Sequence, residues 1–232
     1  MNAIEIEELN ARRIVEKGAD RDDLLLNRGL LFQYLANQRA ICEALRPVAS
    51  LRSASKAAVL DVGCGNGASL LHLMELGFSA RMMHGIDFRP SIIERGRLRL
   101  PACTLIVADA RHIPYPDATF DLVIESTMLV QEVANTAGRE SVAREMVRVT
   151  KPGGHLLIVD WRYGRRGYQA VTQRCLRALF PDCDFVRSAG GALIPPVGRA
   201  VSAWCPSLYF LIQRICPPLI GLKANLLCKP FS

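Results

Sequence analysis

Residues 59–67 read VLDVGCGNG, an apolar run that breaks into three glycines at alternate positions. Gly63, Gly65 and Gly67 let the backbone turn with positive φ and let a ligand approach the main chain without meeting a Cβ. The stretch predicts a strand, a glycine loop and a helix that starts at a nucleotide-like ligand. A glycine triplet alone would also fit an ordinary turn or an NAD-binding loop. Two carboxylates narrow the reading. Asp87 lies twenty residues beyond Gly67 at the end of a second apolar run, 82–86, where it can accept both hydroxyls of a ribose. Asp109 closes a third run, 105–108, in the same way.

Outward from this stretch, short apolar runs alternate with helical spacing. Strands are expected at 57–62, 82–86, 105–108, 120–125 and 155–160, with helices at 69–76, 91–98, 139–149 and 169–180. Such alternation specifies βαβ units and a parallel sheet covered on both faces, an α/β three-layer sandwich of Rossmann-like type. In an open parallel sheet, ligands bind at the carboxyl ends of the strands. The glycine loop, Asp87, Asp109, Glu125 and Asp160 therefore belong to one rim. Residues 3–17 and 28–46 carry apolar residues at helical spacing, and Pro47 ends the second of these helices. Strands are expected again at 183–189 and 222–229. Between them, 198–215 reads as an apolar helix broken by Pro206 and bounded by Pro195, Pro196, Pro217 and Pro218.

The chain has 232 residues, half of them hydrophobic, enough for one substantial core. The expectation is a single domain over 1–232, with a helical cap at 1–50, a cofactor-binding core at 57–160 and a substrate-side segment at 161–232. The stretch MNAIEIEELNARR has no continuous apolar region and predicts no secretory signal, and no run is long enough for a spanning helix. The eight cysteines form no CxxC pair and no zinc-type cluster with histidine, so reduced cysteines in a cytoplasmic protein and no metal are expected. Cys64 reads as a buried loop residue.

Net charge is +7, and its placement is uneven. From 161 to 232 there are ten basic residues against Asp182 and Asp184, leaving the first 160 residues close to neutral. A basic final third can attract phosphorylated substrates, anionic lipid or nucleic acid, or can simply be a set of solvated arginines. Nucleic acid is the weakest of these, because no recognition motif accompanies the charge and only five of 29 basic residues are lysine.

Taken together, VLDVGCGNG, GID at 85–87, ADARHIPYPDATFDLVIES at 108–126 and EMVRVTKPGGHLLIVD at 145–160 resemble the class I S-adenosylmethionine-dependent methyltransferases of small-molecule type. The resemblance covers roughly 57–160. It implies a seven-stranded sheet of order 3-2-1-4-5-7-6 with strand 7 antiparallel, the late runs supplying strands 6 and 7. It also implies S-adenosylmethionine as cofactor. Asp61, Gly63, Gly65 and Gly67 match the motif against its methionine part, Asp87 the ribose residue with Phe88 beside it, and Asp109 and Ala110 the pair at the adenine edge. Glu125 is counted with the cofactor residues, and its rim position also puts it within reach of substrate. Pro152–Gly154 matches a turn feeding strand 5. A more distant likeness, through Asp160, Trp161, Arg162, Tyr163 and a LeuPhePro turn at 179–181, is to bacterial methyltransferases of polysaccharide and secondary biosynthesis. It leans toward a small-molecule, glycan or lipid-linked acceptor with an oxygen or nitrogen nucleophile.

Methyl transfer needs alignment, exclusion of water and, for a hydroxyl, removal of a proton. Asp160 is the candidate base. Gln131, Arg162 and Tyr163 are candidates for substrate contact, Arg165 and Arg166 for clamping an anion, and His112 lies beside the adenine loop. The tetrapeptide of exocyclic-amine methyltransferases is missing, since strand 4 ends Glu125, Ser126, Thr127. The 198–215 helix reads as a lid or as an element contacting a membrane surface, with the protein then membrane-associated. A cofactor-binding regulatory protein and an NAD(P)-dependent oxidoreductase are the competing readings. Oligomeric state is left open.

Overall fold

A computed structural model describes residues 27–53, 56–130, 136–164 and 169–231. The helix expected at 3–17, together with Gln131, Arg165 and Arg166, lies outside the described residues. The chain divides into two compact units, one formed by Ala44–Ser188 with Asn225–Ser232 and the other by Met1–Glu43 with Ala189–Ala224.

The larger unit is built on parallel strands. β1 (Val59–Val62), β2 (Met83–Asp87), β3 (Thr104–Val107), β4 (Phe120–Ser126) and β5 (Thr150–Trp161) alternate with α2 (Ala68–Glu75), α3 (Pro90–Arg99) and α4 (Thr136–Val149). A first helix, α1 (Arg28–Leu45), precedes them. β1 pairs in parallel with β2 and with β4, placing Val62 beside Ile86 on one side and beside Glu125 on the other. After β5 come α5 (Gln173–Leu179), β6 (Asp184–Gly190) and β7 (Leu222–Cys228). The sheet order is β3-β2-β1-β4-β5-β7-β6 with β7 antiparallel. The order and sense implied by the resemblance are those observed.

Val59, Leu60, Asp61 and Val62 are all buried, which is why this strand reads as an unbroken apolar run apart from its aspartate. The core continues through Ile86, Val123, Ile158, Met146 and Leu176, residues supplied by strands and by the helices that cover them. α5 is capped by Thr172, whose side chain accepts from the Cys175 amide at 3.2 Å.

Two expectations are corrected. Pro152–Gly154 is no turn before strand 5; it lies inside β5, where pairing steps from Phe120 opposite Thr150 to Leu122 opposite His155. Gly153 absorbs this irregularity with φ +72° and donates to the Lys229 carbonyl at 2.8 Å. The late helix begins earlier than 198. It forms α6 (Pro195–Trp204) and α7 (Leu208–Ile215), because proline in a first helical turn sacrifices no hydrogen bond. Pro206 separates the two.

The smaller unit packs α1, α6 and α7 around Tyr209. The Tyr209 hydroxyl accepts from the Leu193 amide at 3.2 Å, and its ring stands 5.4 Å from that of Phe32. Asn37 accepts from the Ala192 amide at 3.0 Å, tying α1 to the segment before α6.

Gly67 opens α2 from a left-handed conformation, φ +82°, and a Cβ there would collide with Leu100 Cδ1. Gly67→Ala is expected to lower unfolding free energy by about 1–2 kcal/mol, read as a shift in the urea midpoint at constant slope. An unchanged midpoint would show that the loop relaxes without strain.

Candidate cofactor site

The glycine loop is fixed from one point. The amides of Gly63 and Cys64 both donate to the Ile86 carbonyl, at 2.8 and 2.9 Å, which ties the end of β1 to the end of β2. Gly63 (φ +74°) and Gly65 (φ +54°) adopt the left-handed backbone that their spacing predicts. Gly65 also donates to Asp87 Oδ2 at 3.0 Å. Below the loop Cys64 is buried against Gly85, whose missing Cβ leaves room for the sulfur. Burial and the charges of Asp61 and Asp87 push its thiol far up, away from any nucleophilic use.

Asp87, on the β2 end, is 4% exposed. Besides Gly65 it accepts from the Arg89 amide at 3.0 Å and, bidentately, from the Arg89 guanidinium at 2.9 Å on each oxygen. The same guanidinium stands 5.6 Å from the centre of the Phe88 ring. Asp109 repeats the arrangement after β3. It accepts from the Arg111 amide at 2.9 Å and from its guanidinium, and those hydrogen bonds hold its carboxyl below the usual range. Ala110 packs on the edge of the main core. Both Asp-x-Arg steps stand in the sequence at 87–89 and 109–111; their pairing is what sequence reasoning missed.

Behind the Asp109 loop, Arg148 on α4 donates to the carbonyls of Ile113 and Tyr115 and pairs with Glu145 and Asp117, while Glu145 accepts from the Ile113 amide. This clamp fixes the loop to its helix. His112 lies beside it in a cavity shared with Arg111, Arg144 and Glu145.

The rest of the rim is acidic and buried. Asp61 is 1% exposed, and neither carboxylate oxygen has a hydrogen-bond partner. Burial, helped by the charge of Asp87, raises its pKa to about 8. Glu125 on β4 is fully buried. Its Oε1 accepts from the Met128 and Leu129 amides, at 2.5 and 3.1 Å, and Oε2 has no partner. Burial and the charge of Asp160 raise its pKa as well, against the pull of those amides. Asp160 on β5 accepts from the Val130 amide at 2.8 Å and the Trp161 amide at 2.7 Å. Burial raises its pKa too, opposed by these amides and by Arg139. Glu125 and Asp160 thus hold residues 127–130, a loop that includes Thr127 at φ +61° and carries the Met128 side chain over Gly63. Nothing in the apolar pattern of β4 and β5 announces this shared task.

Arg162 and Tyr163 follow β5, the guanidinium 5.5 Å from the ring centre, with Tyr163 exposed. Among the described residues no group of His, Cys, Asp and Glu is placed to hold a metal.

Comparison with known proteins bears on the fold that carries these residues. Residues 59–154 match the family described as a methyltransferase domain. That match and the observed fold accord with the methyltransferase resemblance of the sequence. The chain is 32% identical over 147 residues to a demethylmenaquinone methyltransferase of Renibacterium salmoninarum, covering 63% of this chain and 59% of that protein. It is 26% identical over 204 residues to the demethylmenaquinone methyltransferase of Tropheryma whipplei, 86% of this chain and 79% of that one. Among solved structures it shares its fold with an S-adenosylmethionine-dependent methyltransferase from Methanosarcina mazei, with a TM-score of 0.58 at 17% identity over 77% of this chain and 94% of that one. The chain spans 52%, 59% and 31% of the length of the first three curated relatives it matches.

The unpartnered Asp61 carboxyl makes stability depend on pH. Its folded pKa lies above its unfolded value, so its contribution is complete below about pH 4 and is lost as pH rises through about 8. Asp61→Asn removes that loss. The variant should therefore gain on the wild type progressively from pH 5 to pH 8.5 in urea midpoint; an equal difference at both pH values would contradict the unpaired, buried carboxyl.

Proposed function

We propose that the protein transfers a methyl group from S-adenosylmethionine to a small, largely apolar acceptor of quinol type. The observation that carries the cofactor side is the row of carboxylates on four adjacent strands: Asp87 on β2, Asp61 on β1, Glu125 on β4 and Asp160 on β5. Three of their oxygens, Asp61 Oδ1 and Oδ2 and Glu125 Oε2, are buried without a partner. Buried unpaired acceptors call for a cationic donor. The ammonium of S-adenosylmethionine can donate to them and its sulfonium adds positive charge, whereas the diphosphate of a nicotinamide cofactor would meet like charge. In this reading Asp61 and Glu125 face the methionine part, and Gly63, Gly65 and Gly67 give its approach to the backbone. Asp87 takes the ribose hydroxyls in exchange for Arg89. Phe88, Asp109 and Ala110 form the adenine side, where uncharged adenine needs an acceptor and an apolar slot.

The cofactor when bound supplies an electrophilic methyl carbon, whose bond to sulfur breaks as the acceptor's bond forms. The protein's residues position the acceptor and exclude water. Asp160 suits positioning better than proton removal, since both its oxygens already accept backbone amides that hold residues 127–130. The acceptor must then provide its own nucleophile. An electron-rich hydroquinone ring does so, and the ring proton displaced by the methyl group can pass to bulk solvent once the site opens. The demethylmenaquinone methyltransferases among the relatives support that acceptor class over a glycan. Arg162 and Tyr163 are proposed to contact it at the end of β5.

Titration calorimetry with S-adenosylmethionine, S-adenosylhomocysteine and NADH tests the cofactor side. Binding of the two sulfur compounds and not of NADH is expected, and the reverse would overturn the proposal. Asp87→Ala should weaken S-adenosylmethionine binding by about 1.5–3 kcal/mol through loss of charge-assisted ribose contacts. Formation of S-adenosylhomocysteine with a naphthohydroquinone, and not with sugars or amines, is expected for the acceptor; cofactor binding with no turnover on any acceptor would favour a regulatory binding protein.

A further inference from the structure

In the smaller unit, α7 is turned against the usual pattern. Its polar Gln213 is 4% exposed, donates to the Gly191 carbonyl and accepts from Arg39 at 2.7 Å. Tyr209, one turn earlier, is buried beside it. Leu208, Leu211 and Ile215 share the opposite face at helical spacing and are 42%, 48% and 67% exposed. Trp204, at the end of α6, is 92% exposed. A helix that engages its glutamine internally and turns three aliphatic side chains outward is built for a second apolar phase.

The charge around this face says which phase. After Asp184 the sequence has no acidic residue, while Arg187, Arg199, Arg214, Lys223 and Lys229 remain. Among the described residues of the smaller unit, Arg28, Arg39, Arg199, Arg214 and Lys223 stand against Glu43 alone. Arg199 and Arg214, on α6 and α7 themselves, are exposed. A second copy of this chain seated on the face would bring these arginines against one another with no carboxylate between them. An anionic bilayer offers both missing halves: apolar depth for the leucines and negative headgroups for the arginines, with a tryptophan at the boundary where its ring is favoured. No helix among the described residues is long and apolar enough to cross a membrane, so contact of this kind is peripheral.

We propose that the face formed by Trp204, Leu208, Leu211 and Ile215, flanked by Arg199 and Arg214, docks the protein onto an anionic lipid surface. The proposal is independent of the methyl-transfer reading. The full chain would be sedimented with sucrose-loaded vesicles of phosphatidylcholine, with and without roughly 30% phosphatidylglycerol. Binding to the anionic vesicles alone is expected, lost in high salt, with a blue shift of tryptophan emission that Trp204→Phe abolishes. Leu208→Ser/Leu211→Ser/Ile215→Ser and, separately, Arg199→Gln/Arg214→Gln should each weaken partitioning by about tenfold or more. Both sets change exposed side chains, and melting curves confirm that each variant folds. Equal recovery with and without anionic lipid would overturn the proposal. So would vesicle binding that neither variant weakens, or a dimer by light scattering that the aliphatic variant dissolves.

Discussion

Four acidic side chains at the ends of β2, β1, β4 and β5 stand in one buried row, and the protein supplies few cations to match them. Arg89 covers Asp87 and Arg139 acts on Asp160 at longer range, while Asp61 and one oxygen of Glu125 have no partner. Burying carboxylates this way costs several kcal/mol unless they are neutralised or paired. The raised pKa values of Asp61, Glu125 and Asp160 are the protein's own response, protonation in place of pairing. The rim thus keeps carboxyl oxygens without partners, and the loops around it take their shape from the acids: Gly65 donates to Asp87, Met128 and Leu129 to Glu125, Val130 to Asp160.

The elements were legible where one physical signal sufficed. β1, expected at 57–62, was readable because an apolar run interrupted only by Asp61 met a glycine loop, and β4, expected at 120–125, is Phe120–Ser126. The candidate site was legible for residues whose position follows from a strand end, such as Asp87, which closes β2. It was not legible where two distant residues share one task. Glu125 and Asp160 lie 35 positions apart in the sequence and meet on one loop only because β4 and β5 are neighbours in the sheet. The extent of β5 was hidden for another reason: Pro152, Gly153 and Gly154 carry turn chemistry, yet Gly153 and Gly154 pair with Lys229 inside the strand.

Arginine is used in two ways. Arg89, Arg111 and Arg148 hold acidic partners with fork-like hydrogen bonds and so fix the loops that follow β2 and β3. Arg199 and Arg214 stand in a stretch without any acid. Net charge alone would lump these together. Separated, the first set neutralises the protein's own carboxylates, and the second gives an exposed surface its sign.

The sheet order has a consequence for synthesis. β6 (Asp184–Gly190) is made well before β7 (Leu222–Cys228), yet it joins the sheet only through β7, which lies between it and β5. Until β7 emerges, β5 presents an open edge and β6 has no neighbour. The nascent chain therefore carries two unsatisfied strands across the thirty-one residues from 191 to 221, the same stretch that bears the outward-facing leucines. Exposed strand edges beside exposed apolar side chains are the conditions for misassembly, so the interval of greatest aggregation hazard falls late in translation, after β1 to β5 have been made.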